Sequence, residues 1–153
     1  MNIKITTAGY CFNNGKPDQR AGCGVALEYD DEFGRAAERF IAHPAGDSTK
    51  PKAEIQSVSL GLMCVGRKFR KICVVELRVP RYVAGLLVKD GDDFKQTPKK
   101  NVEEVEELRK WYGYYANIKV VEAKADDLAQ AMTMAKECAD TQEPADTGTR
   151  VLT

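Results

Sequence analysis

The chain has 153 residues, 23 Lys plus Arg against 23 Asp plus Glu, and is 43% hydrophobic and 30% charged. That length can bury one substantial core, and the composition excludes a disordered, collagen-like or strongly basic protein. No apolar run nears the roughly 18 residues of a membrane span, no signal-peptide h-region opens the chain, and five scattered cysteines lack a C-x-x-C spacing, so reduced thiols and an intracellular, cytoplasmic or nuclear, setting are expected.

Residues 2–8, 22–29 and about 34–42 read as three strands, joined by loops at Asn13–Asp18 and Asp30–Gly34. His43, the lone histidine, reads as a partly exposed edge residue. A polar loop from Pro44 to Lys50 leads to a helix from about Pro51, and proline suits a first helical turn. Ile55, Val58, Leu62 and Val65 make its apolar stripe, which Ala53, Leu60, Met63 and Cys64 broaden almost all round, the mark of a helix between layers. Arg67-Lys68-Phe69-Arg70-Lys71 closes this helix, where cations suit the negative end of its dipole.

Lys71 to Val79 reads as the next strand, and Pro80 starts a short helix ending near Val88. After the break at Asp90-Gly91-Asp92-Asp93, Val102, Val105, Leu108, Tyr112 and Tyr115 recur at helical spacing, and 118–121 is the fifth strand. Asp126 or Asp127 caps a final helix whose Leu128, Ala131, Ala135 and Cys138 form a small-residue face suited to close packing on a sheet. Residues 141–153, rich in Thr, Asp, Pro and Gly, read as a flexible tail after a domain spanning 1–140.

Ile5-Thr6-Thr7-Ala8-Gly9-Tyr10-Cys11-Phe12-Asn13-Asn14-Gly15, continuing to Arg20-Ala21-Gly22-Cys23-Gly24-Val25, resembles the first hairpin of type 1 ribonuclease H. Lys52-Ala53-Glu54 resembles the start of that family's first helix, Val74 to Leu86 its fourth strand and following helix, and Leu128 to Ala139 its last helix. The resemblance implies an α/β, ribonuclease H-like fold: a five-stranded mixed sheet with helices on both faces. It also implies four metal-binding carboxylate positions at one end of the sheet, filled here by Ala8, Glu54, Val79 and Met132. The family hydrolyses the RNA strand of a hybrid with two divalent ions about 3.5–4 Å apart, and hard ions need oxygen ligands that alanine, valine and methionine lack.

From this the expectation is a domain without catalysis, metal or cofactor, acting as a binding or protein-interaction module. Trp111 and Tyr114 are its candidate interface residues, for a protein partner or self-association. The alternatives are a weak binder of hybrid or duplex through Asn13, Asn14, Lys16, Arg20, Arg67 and Lys68, or a hydrolase with a relocated site drawing on Glu54, Glu76, Asp126 or Asp127. Zero net charge makes any nucleic-acid binding weak and salt-sensitive.

Overall fold

The computed structural model describes residues 1–148, 150 and 151. β1 (Asn2–Phe12), β2 (Arg20–Asp30) and β3 (Ala36–Gly46) form an antiparallel meander. Then come α1 (Lys50–Met63), a 3-10 turn (Arg67–Phe69), β4 (Val74–Val79), α2 (Arg81–Leu86) and the two-residue pair β5 (Lys89–Asp90) and β6 (Asp93–Phe94). The chain ends with α3 (Val102–Gly113), β7 (Asn117–Glu122), α4 (Ala125–Thr141), β8 (Ala145–Asp146) and β9 (Arg150–Val151). No helix among the described residues is long and apolar enough to cross a membrane.

The sheet order is β7-β4-β1-β2-β3-β8, with β9 also on β3, and β4 runs parallel to both β1 and β7. Helices cover both faces. Ile55, Val58 and Leu62 of α1 pack with Ile5, Val25, Val75, Leu77 and Val79 of the sheet and with Val105 and Leu108 of α3, all buried. Tyr115 donates from its hydroxyl to the Leu62 carbonyl (2.5 Å), which ties the end of α3 to the end of α1. On the other face, α4 crosses β1, β2 and β3.

Three features differ from the sequence reading. The first two strands run past the apolar alternation because Cys11↔Ala21 and Phe12↔Arg20 still pair by backbone, which side-chain periodicity does not register. The sheet has seven strands rather than five, since two short strands from the segment expected to be a flexible tail pair with β3. The Arg39 guanidinium holds the Asp146 carboxylate (2.6 Å) and the Thr147 N–H donates to the Phe40 carbonyl (3.0 Å), contacts between residues too far apart in sequence for local pattern to reveal. Within that segment Thr149, Leu152 and Thr153 lie outside the described residues.

The basic run is the third difference. α1 ends at Met63 with no basic residue in its last turn, and the extended backbone of Gly66 (φ −56°, ψ 141°) separates it from the turn that holds Arg67 and Lys68. These cations therefore do not complement the α1 dipole, whose influence fades within the last turn.

Close approach of α4 depends on Gly24. A Cβ there would fall 1.9 Å from the Ala131 carbonyl oxygen, inside any contact distance, and both partners are backbone. Gly24→Ala should lower stability by about 3 kcal/mol or more, whereas Gly113→Ala, with open space around it, should change it by about 1 kcal/mol or less. Urea unfolding of the two variants checks the contrast.

Candidate nucleic-acid interface at the sheet end

The four positions that the resemblance singles out surround the segment Thr7–Gly9. Ala8 is fully buried and pairs with Gly24, and cross-strand partners share a face, so Ala8 lies beneath α4 at Ala131, the neighbour of Met132. Lys136, one turn past Met132, holds its ammonium over the Tyr10 ring, 5.5 Å from the centroid, and Tyr10 shares the face of Ala8. Half-buried Met132 thus occupies the flank of α4 above Ala8 and Tyr10.

Glu54 arrives from the opposite face. A Cβ on Gly9 would lie 2.4 Å from the Glu54 nitrogen, so the first turns of α1 rest directly on β1 beside Ala8. Val79 closes β4, is fully buried, and accepts the Ala123 N–H on its carbonyl (2.9 Å), which docks the β7–α4 connection on the strand end. The parallel register Thr6↔Arg78 sets Val79 level with Thr7.

Burial holds the Glu54 carboxyl above the usual carboxylate range, with the Lys50 ammonium opposing the shift. Around it stand a methyl, an isopropyl and a thioether group, and among the described residues no group of three or more His, Cys, Asp or Glu could hold a metal ion. This set does not fit the pair of divalent cations implied by the resemblance, because hard ions need several oxygen ligands. The other acids nearby are partly committed: Arg78 pairs with Glu76 (2.8 Å) and with Asp127 (3.4 Å), and Asp127 also accepts the Lys124 N–H at the start of α4 (3.2 Å).

The hairpin loop is braced rather than free. Asn13 adopts a left-handed backbone (φ 55°) and donates from its side-chain amide to Asp18 (2.7 Å), and the Asn14 side-chain Oδ1 accepts the Lys50 N–H (3.1 Å). Arg20 stacks over Phe12 (4.9 Å) and faces Asp140 (3.7 Å). Of the candidates proposed from sequence in this loop, Asn13, Asn14 and Arg20 are engaged within the chain, which leaves exposed Lys16 without an ion pair among the described residues.

Arg67 and Lys68 are not brought to this end. They precede β4, roughly 17 Å of strand away from Val79, with Lys68 over its neighbour Phe69 (5.0 Å), and Trp111 and Tyr114 join them there. Sequence reasoning passed over Lys136 as a ligand for this end and read Lys50, with Pro51, as weakening hybrid recognition. The signals were present: Lys136 follows Met132 by four on a helix, and Lys50 precedes Glu54 by four.

No protein-family model matches the chain, and no curated protein matches it in sequence. Solved structures do. LC9-RNase H1, a type 1 RNase H with the type 2 active-site motif, superposes with a TM-score of 0.72 at 18% identity, covering 99% of this chain and 77% of its own. LC11-RNase H1 in complex with RNA/DNA hybrid gives 0.71 at 21% identity, over 92% of this chain and 98% of its own. RNase H1 from the halophilic archaeon Halobacterium salinarum NRC-1 gives 0.60 at 16% identity, over 92% and 98%.

The chain therefore has the ribonuclease H-like fold, a mixed α/β sheet flanked by helices. The expectation that it is not an enzyme is corrected by the same comparisons. That expectation rested on the residue types at three positions, whereas the solved structures that share this fold over 92% or more of the chain are ribonucleases H.

Two stability effects follow from the site. The Thr7 hydroxyl, fully buried one residue from Ala8, finds no hydrogen-bond partner, so Thr7→Val should raise stability by about 1 kcal/mol in urea unfolding. Because the folded state holds the Glu54 proton to higher pH than the unfolded chain does, its contribution is most favourable below the unfolded pKa and is lost as pH rises through the folded pKa. Glu54→Gln should accordingly melt at a higher temperature than the parent near neutral pH, and the gap should close near about pH 3.

Proposed function

We propose that this chain is a ribonuclease H-like domain that binds the backbone of nucleic acid across the end of β1 and β4, with Lys16, Lys50 and Lys136 as its phosphate contacts. The observation that carries this reading is the charge left at that end. Glu54 is the one carboxylate among the four positions, the nearby Glu76 and Asp127 are paired with Arg78, and three lysines, Lys16, Lys50 and Lys136, have no ion pair among the described residues. Cations in that position attract phosphate directly, and counterion release is the main source of such affinity. The likeness to LC11-RNase H1 in complex with RNA/DNA hybrid supports a nucleic-acid ligand of helical form.

Neutral net charge keeps the attraction local, so the affinity is modest and falls with salt. A hydrolytic reaction here would have to draw on Glu54 with Asp126, Asp127 or Glu76, since these are the acids within that region. All five cysteines are free thiols, which supports a reducing, intracellular setting.

A protein partner has one specific surface in its favour. β3 is covered by β8 and β9, whereas β7 ends the sheet with an open edge, although Lys119 and Glu122 on it blunt strand addition.

Binding of RNA/DNA hybrid and of duplex DNA, titrated by fluorescence anisotropy at several salt concentrations, tests the proposal. Each of Lys16→Ala, Lys50→Ala and Lys136→Ala should reduce the slope of log affinity against log salt by about 0.9 on duplex DNA. Binding that persists unchanged in the triple variant would place the nucleic acid elsewhere and reject this surface.

A further inference from the structure

We infer that the cleft between the 3-10 turn and the C-terminal end of α3 is a second, separate binding site, one that takes single-stranded nucleic acid. It goes beyond the sheet-end reading and does not depend on it. The cleft holds about 490 Å³ and is lined by Arg67, Arg70, Lys71, Trp111 and Tyr114: three cations, two aromatic rings and no acid. Sequence reasoning had put Arg67 on a nucleic-acid surface and Trp111 and Tyr114 at a protein interface, and the fold puts them in one place.

The parts are arranged for that ligand. Arg70 is held, because its Nε donates to the Val65 carbonyl (3.0 Å) and its guanidinium lies 5.0 Å from the Trp111 ring centroid and 5.9 Å from that of Tyr114. The two rings meet edge to face, with centroids 5.6 Å apart and planes at 78°, so neither ring lies flat over the other. Tyr114 is 39% exposed, and Arg67 and Lys71 are exposed with no ion pair among the described residues.

A single strand alternates anionic phosphates with flat, apolar base faces, and sites for it combine a cationic groove with aromatic platforms. In a duplex those faces are stacked on one another, so the rings would gain nothing from it. An acidic peptide could use the cations but has no use for the rings. The site lies before β4, at the opposite end of that strand from Val79, so a strand held here leaves the sheet end open.

Trp111 is the only tryptophan in the chain, so its fluorescence reports this cleft alone. Titration of the full chain with a short oligothymidylate should quench that fluorescence. Arg67→Ala with Lys71→Ala should reduce the salt slope by about 1.4, at about 0.7 per single-strand contact. Tyr114→Ala should weaken binding about 5-fold or more. Replacing Lys16, Lys50 and Lys136 together should leave this titration unchanged, which separates the present claim from the sheet-end reading. Absence of quenching overturns the inference, as does polyglutamate binding as tightly as oligothymidylate with the same fluorescence response.

Discussion

Contact between helix and sheet backbones at the β1–β2 hairpin is the constraint on which the rest of this structure depends. Gly9 meets the backbone of Ala53 and Glu54 on one face, while Gly22 and Gly24 meet that of Ala135, Ala139 and Ala131 on the other. Without a Cβ at these three places, α1 and α4 settle onto the strands from opposite sides at the level of Ala8. The small face of α4, Ala131, Ala135 and Ala139, is the matching half of that fit, and its residues are fully buried. Side chains there would separate the layers, and the residues gathered from β1, α1, β4 and α4 would no longer share one end of the sheet.

That end is unusual in its chemistry rather than its geometry. A clustered set of carboxylates is mutually repulsive and relies on bound cations to hold it together. Here most of the cluster is apolar and packed, which removes the repulsion, and the remaining carboxyl is pushed toward its protonated form by burial. Lys50, beside Glu54, and Lys136, over Tyr10, stand next to that packed cluster, and in the proposed function they are its phosphate contacts.

The fold was legible from sequence wherever side-chain burial follows backbone period. The apolar runs of β1 and β2, buried on both faces, the all-round apolar α1 and the small-residue face of α4 each led to the right element and the right layer. The resemblance singled out Ala8, Glu54, Val79 and Met132, and the fold brings these four positions around Thr7–Gly9. What stayed hidden is set by contacts that local pattern does not show: β8 and β9 pair by backbone with β3, with Arg39 and Asp146 forming an ion pair beside β8, and Asn13 and Asn14 spend their side chains on bracing the hairpin. Trp111 reads as core or interface from periodicity, and only the turn of the chain after α1 reveals that Arg70 lies against it.

Amide chemical-shift mapping of the isotopically labelled protein with an RNA/DNA hybrid tests the central claim most directly. Shifts should concentrate at the β1–β2 loop around Lys16, the start of α1 around Lys50 and the flank of α4 around Met132 and Lys136. Perturbations confined to the open edge of β7, or none at saturating hybrid, would contradict it.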